Sequence, residues 1–459
     1  MFVLYAIILA LYRLYFSPLS KFPGPKFTAA SGWFEFYHDV VKRGQFVYAV
    51  AEMHNQYGPI VRINPWEISV RDPSFYNTLY VAGSVRRTEI FKQLRDGIGI
   101  DGSHAVAEDH DFHRMRRKPL DPFFSRQQVQ RYEEMIVDEI KVIEDRLKEH
   151  RGSGTVVTMD YVFTAMTGDL IGKICLVDPP SFAGEPDFSP DCFFALIALY
   201  TNFTFLLTES CIKKAKAKGV NKEASDSHSV SLIEHLLASN IPASEKTTDR
   251  LVGEFISILS AGTMTTARTL VTITYYACAY PEVGEKLREA VTEIMANYPD
   301  SVPRWSDLEK IPYLAACVKE GLRLSPGTLR RVVRCSPDVA LQYKEWEIPK
   351  NVPTSMSAYM SHNDPAVYPE PAKFNPERWM GEYDPQMDRN FIPFSKGSRS
   401  CLGMNLAYAE LYLGLAIMFR PDAPRLTLHD TDESDVYPKL DLFIVAPKVD
   451  SRGVRVTVG

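Results

Sequence analysis

The chain has 459 residues, 45% of them hydrophobic and 24% charged, with a formal net charge of −5. A near-neutral balance without a long block of like charge argues against nucleic acid as the main partner. Seven cysteines (Cys175, Cys192, Cys211, Cys278, Cys317, Cys335, Cys401) form no Cys-x-x-Cys and no close pair, which fits a reducing compartment and supplies neither a disulfide framework nor a zinc site.

In chain order, Phe2 to Leu11 is uncharged and apolar, and the apolar character continues past Arg13 to Phe16. A full bilayer span wants about 20 apolar residues, so this stretch is short. Arg13, Lys21 and Lys26 all follow it, which places the rest of the chain on the cytosolic face. A cleaved signal peptide would want a basic start and a small-residue cleavage site, and both are missing. Residues 1–20 are expected to anchor the chain in a membrane, with 21–459 forming one domain behind them. Pro23-Gly24-Pro25 cannot continue a helix and reads as a stiff hinge.

Ile60–Ile63 and Ile68–Val70, around Asn64-Pro65, read as a strand hairpin. Helical patterns then dominate: a basic stretch over Asp109–Phe124, an amphipathic one over Gln127–Glu149, and another over Val156–Leu176. Residues 178–190 carry four prolines and read as loop. Leu251–Ala279 is the longest expected helix, with Thr248 or Asp249 as N-cap and Pro281 just past its end. Helices over Pro281–Asn297 and Tyr313–Leu324 follow, then strand-like pieces over 332–360 and a Pro- and Gly-rich meander over 363–400. Leu406–Phe419 is helical again, and Leu442–Val445 is strand-like. Asn202-Phe203-Thr204 is a formal glycosylation sequon, silent in a cytosolic orientation. His362, in Ser-His-Asn-Asp-Pro, reads as a turn residue and not a ligand. The fold class is mainly α with a small β-rich region.

The chemistry concentrates in Phe394-Ser-Lys-Gly397-Ser-Arg399-Ser-Cys401-Leu-Gly403, just before a helix. A thiolate ligand must be deprotonated, shielded from oxidants and open to a flat macrocycle. Gly397 and Gly403 leave room and permit tight turns. N–H groups and the dipole of the following helix favour a negative sulfur. Phe394 can cover the sulfur, and Arg399 can pair with a carboxylate on the macrocycle rim.

The full pattern, Phe-x-x-Gly-x-Arg-x-Cys-x-Gly, resembles the haem-binding loop of the cytochrome P450 family residue for residue, and further segments match in the family's order. The resemblance runs from residue 23 to the C-terminus and is to eukaryotic, fungal, membrane-bound members. It implies the cytochrome P450 fold and haem b (iron protoporphyrin IX) held by Cys401, whose thiolate favours O–O cleavage. Glu320 and Arg323, three apart on one helix face, would join Arg378 of Pro-Glu-Arg-Trp in a buried structural network beneath the haem loop. Ala261-Gly-Thr-Met264-Thr265-Thr266 lies mid-way along the longest helix. Its hydroxyls can bond carbonyls one turn back and open a local notch, with Thr265 and Thr266 in the catalytic role. The family commonly has Asp or Glu where this chain has Met264, so the usual proton-delivering acid is missing. His113 and Arg117, four apart, would reach the haem propionates, His113 standing where the family has Trp. Arg330 sits at a further propionate position. Arg114, Arg116 and Lys118 could dock an acidic electron donor.

The expected activity is insertion of one atom of dioxygen into a hydrophobic small molecule, a secondary metabolite such as a terpenoid. Electrons would come from NADPH through a flavoprotein reductase. The pocket would be lined by Ile258, Ala261, Thr328, Leu329, Leu442 and Phe443. Residence in the endoplasmic reticulum membrane, in contact with lipid and with the catalytic domain facing the cytosol, follows from the same resemblance. Two rival readings stay open, the first because Met264 stands in place of the usual acid, the second because residues 190–245 look shorter than in that group. One is a rearranging or dehydrating enzyme that needs no reductase. The other is a haem binder without catalysis.

Overall fold

The computed structural model describes residues 1–95, 100–188, 202–218 and 231–459. Helix α1 (Phe2–Leu11) is exposed along its length, and a wider turn over Tyr12–Phe16 continues it. Among the described residues no helix is long and apolar enough to cross a membrane, so the expectation of a transmembrane helix is not met. Nor does the segment after it swing free. The Arg13 guanidinium donates to the Ala30 carbonyl at 2.9 Å, and Arg62 donates to the Arg13 carbonyl at 2.7 Å. Leu19 and Phe22 are buried with Ile60, Ile68 and Val70, and Phe22 stacks on Trp346 at 5.2 Å. The expected hinge is zipped to the first strand. Arg62 N donates to Pro23 O at 2.7 Å, and Gly24, at φ +151°, leaves only 2.5 Å between a would-be Cβ and the Arg62 carbonyl. The boundary expected at residue 20 therefore falls inside a packed segment.

The helical body is α2 (His110–Arg117), α3 (Arg126–Glu149), α4 (Met159–Cys175), α5 (Thr248–Ala279), α6 (Pro281–Thr292), α7 (Pro312–Leu324) and α8 (Met404–Met418). Each starts where its sequence permits. Asp109 caps α2 through the Phe112 N–H, Ser125 caps α3 through the Gln128 N–H, and Pro occupies the first turn of α6 and α7. Helix α5 is the axis of the core. It is buried along most of its length, because α4, α6, α7 and α8 all pack on it. Close crossings need missing side chains. A Cβ on Gly262 would lie 2.8 Å from Ile171 of α4, and one on Gly321 of α7 would lie 2.3 Å from Ile273. Val156–Thr158, expected as helix, is a strand paired with the C-terminal one, and α6 ends at Thr292, before the expected Asn297.

Small sheets flank this body. Strands β1 (Ile60–Arg62), β2 (Ile68–Val70), β4 (Val332–Arg334) and β7 (Thr354–Met356) form a sheet in the order β1-β2-β7-β4. Strand β3 (Val156–Thr158) joins β11 (Arg455–Val458) and β8 (Leu426–Leu428), while β5 (Leu341–Tyr343) with β6 (Trp346–Ile348) and β9 (Leu440–Leu442) with β10 (Ile444–Ala446) are two-stranded. The mainly α fold with small sheets is the one expected. The segment 190–245 lies partly outside the described residues.

Candidate active site

The cysteine loop is held open by backbone geometry. Gly397 sits at φ +79°, where a Cβ would come within 2.4 Å of the Val81 carbonyl, so only glycine fits. Ser398 N donates to Val81 O at 3.0 Å, and Cys401 N closes the loop onto Phe394 O at 2.9 Å. The Phe394 ring packs on Tyr408 at 5.1 Å, and Arg117 donates to the Ser400 carbonyl at 2.6 Å. Cys401 is exposed, yet protein surrounds it, so its side chain opens onto an internal space. Burial pushes its thiol up, while a hydrogen bond from the Gly403 N–H and the nearby Arg117 charge pull it down. Nothing lies within 4 Å of where a Cβ on Gly403 would be, so α8 begins beside open room.

Around this loop gather largely buried basic side chains, of which Arg117 pairs with Asp121 at 3.0 Å and Arg399 has Glu89 and Asp109 near it, while Arg334 has no carboxylate partner among the described residues. Arg334, 7% exposed, donates only to the carbonyl of its neighbour Val333 among the described residues, and burial lowers its pKa. His113 is buried with Nδ1 unpartnered. Burial first, then Arg399, His104, Arg117 and Arg334, hold it neutral with its pKa down to about 2. Arg399 donates to the carbonyls of Ala107 (2.7 Å), Glu108 (2.9 Å) and Asp109 (3.3 Å), and burial followed by Arg334 drops it to about 9. A buried guanidinium without a carboxylate is costly alone. It suits an anionic group that enters beside it, and haem carries two carboxylates on one edge.

On α5, Thr263, Thr265, Thr269 and Thr272 each donate to the carbonyl four residues back, as expected. The expected notch is absent. The helix runs unbroken through this region because each hydroxyl adds to the carbonyl's existing bond without displacing it. Thr265 is partly exposed beside Gly327, whereas Thr266 is buried and hydrogen-bonds Glu410 of α8, away from the open face. Met264 is buried against Phe182 and Ile444.

Other expected site residues are placed differently. Arg330 pairs with Asp39 at 3.1 Å and with Asp441 at 3.8 Å, so among the described residues the strand residue Arg334, and not Arg330, is left without a carboxylate. Arg116 is buried in a bridge to Glu245 at 2.7 Å and cannot dock a partner, while Arg114 and Lys118 are exposed. Leu329 points into a core with Val47 and Val445, not into a pocket. Ile258 is buried, and Leu442 and Phe443 are exposed at the β9–β10 turn, which Thr328 joins through its bridge to Ile444.

The Glu320 network is as expected. Arg323 makes a double bond pair to Glu320 at 2.9 and 2.8 Å, Arg378 reaches it at 3.0 Å, and the Trp379 indole adds a fourth donor at 2.9 Å. His362 is no mere turn residue. It is fully buried, its Nδ1 contacts Arg323 O at 3.1 Å, and its Nε2 accepts from Ile392 N at 2.9 Å, tying the meander to α7. A second buried chain, Arg116–Glu245–Arg250–Glu254–His104, ends 6.1 Å from the His113 ring and gave no local sequence signal.

A cysteine loop at the N-terminus of α8, with buried basic side chains near it, has the donor set a haem-thiolate site would need. The comparisons agree. A cytochrome P450 family model matches residues 199–448. Stellatic acid synthase of Emericella variicolor is 43% identical over 493 residues, covering 100% of this chain and 94% of the relative. Cytochrome P450 monooxygenase tndB of Aspergillus flavipes is 45% identical over 87% of this chain and 93% of its own. Fusicoccadiene C-8 hydroxylase of Phomopsis amygdali is 41% identical over 98% of this chain and 94% of its own. The chain belongs to the cytochrome P450 family and is a monooxygenase of that class, and its cofactor is haem b bound through a cysteine thiolate. The 493 aligned positions exceed the 459 residues here, so that relative carries segments this chain lacks.

Proposed function

We propose that Cys401 is the axial haem ligand and that the enzyme oxygenates a cyclic terpenoid. The observation that carries the assignment is a free cysteine opening onto an internal space, with a Gly403 N–H on its sulfur and, near its loop, the buried Arg334 guanidinium without a carboxylate among the described residues. Arg334 and His113 would hold the propionates, with Arg117 and Arg399 bracing the loops that carry them. Bound haem would supply the activation of dioxygen and the transfer of one oxygen atom to substrate. Thr265 donates to the Ala261 carbonyl, which leaves its oxygen free to accept a proton-bearing water on the open face. The thioether of Met264 can relay no proton, so Thr265 and water carry that task.

A terpenoid substrate is supported by relatives named for fusicoccadiene hydroxylation. An NADPH-dependent flavoprotein reductase would use the exposed Arg114 and Lys118, and the exposed apolar α1 would attach the enzyme to the endoplasmic reticulum membrane. The test is spectroscopic first. Cys401→His should abolish the red-shifted Soret band of the reduced carbon monoxide complex, since thiolate ligation produces it. Turnover of wild type with reductase, NADPH and terpenoids should then give product coupled to NADPH loss. Retention of the band in Cys401→His would overturn the ligand assignment.

A further inference from the structure

Thr263, Thr265, Thr269 and Thr272 of α5 satisfy their hydroxyls on the carbonyl four residues back, at 2.7, 2.9, 3.2 and 2.8 Å. Ser257 and Ser260 of the same helix have equally available carbonyls, yet among the described residues neither hydroxyl has a protein partner. Both are partly exposed on a helix that is otherwise mostly buried. Ser257, Ala261 and Thr265 recur every four residues and so share one face, with Ser260 at its edge. That face looks onto the site: Thr265 meets the loop at Gly327, and Met264 meets Ile444 of β10, which Thr328 bridges. Every other group named on this face is apolar or already bonded. The two serines are its spare hydrogen-bonding capacity.

Resting on the terpenoid reading above, we propose that Ser257 and Ser260 recognise a hydroxyl already present on the substrate. The helix rise places them about 12 and about 7.5 Å along the axis from Thr265, a separation that a fused-ring skeleton spans. Neutral serine hydroxyls both donate and accept, which suits an alcohol and gives a carboxylate no charge partner. The enzyme therefore acts on an alcohol, and either a hydroxylation of the hydrocarbon or a cyclisation ended by water capture must supply its substrate.

The full-length holoenzyme is titrated with fusicoccadiene and with its monohydroxy derivatives, following the spin-state shift of the haem spectrum. Wild type should prefer at least one alcohol over the hydrocarbon. Ser257→Ala/Ser260→Ala together should cut that preference by roughly five- to tenfold, the worth of one or two neutral hydrogen bonds. The reduced carbon monoxide spectrum checks that the variant is folded and loaded. A preference unchanged in the variant, or absent in wild type while the hydrocarbon binds, overturns the proposal. No shift with either probe, in an enzyme with an intact thiolate spectrum, overturns the terpenoid reading itself and this inference with it.

Discussion

Arg330 and Arg334 stand four residues apart on the path from α7 into β4, and packing gives them opposite fates. Arg330 is neutralised by Asp39 and Asp441, whereas Arg334 is buried over the Tyr80 ring with one carbonyl and, among the described residues, no carboxylate. Arg334→Gln should lower haem content and speed transfer of haem to an acceptor protein, while Arg330→Gln should leave both near wild type. The reverse pattern would move the propionate site. Glu410 is the other decisive residue. Burial pushes its carboxyl up to about 8 from 4.5, with the Thr266 hydroxyl pulling the other way. The folded state thus keeps a proton that the unfolded chain releases. Its contribution is whole below about pH 4.5 and is lost as pH rises towards about 8. Glu410→Gln cannot ionise, so its melting temperature should gain on wild type between about pH 5 and pH 8. Parallel melting curves for the two proteins would rule this out.

At the scale of elements, the meander is held to α7 by one carboxylate. Glu320 receives Arg323, Arg378, Trp379 and the Asn375 N–H and is fully buried. Glu320→Gln keeps the shape and removes the charge that two buried guanidinium groups require, so it should cost about 3–5 kcal/mol of stability by chemical denaturation. Haem binding should fall with it, because the meander feeds directly into the cysteine loop. His362 adds a pH dependence of its own. Burial and Arg323 hold its pKa down to about 3, so the ring stays neutral in the fold and stability falls as pH drops from about 6.5 towards about 3, where only the unfolded ring takes up a proton. A substitution that left stability unchanged would reduce the Glu320 cluster to a surface-like ion pair.

Across the whole molecule, the N-terminal region is two things joined. Helix α1 is exposed and apolar, but Leu19, Phe22 and the Pro23–Pro25 backbone belong to the core around β1 and Trp346. Deleting residues 2–11 should keep haem and thermal stability and release much of the protein from membranes. Deleting residues 1–22 should lower the melting temperature as well, since it strips buried apolar surface from the sheet. Equal stability of the two deletions would place the domain boundary back at residue 20. Fractionation and melting curves on the same preparations read both effects.

By itself the sequence determined what short-range chemistry can specify. The spacing of Phe394, Gly397, Arg399, Cys401 and Gly403 is a local pattern, and so are the Glu320–Arg323 helix pair and the back-bonded threonines of α5. Each lies within one loop or one or two turns, where covalent geometry limits the outcomes. Tertiary structure alone decided which charges were paired. Arg330 found Asp441 from far along the chain, Arg116 found Glu245, and Arg334 found no carboxylate among the described residues. It also turned Thr266 to Glu410, buried His362 under the meander, and locked the expected hinge onto β1. These outcomes rest on contacts between residues tens to hundreds of positions apart. A guanidinium or imidazole has the same local sequence whether its eventual neighbour is an anion, a carbonyl or a cofactor.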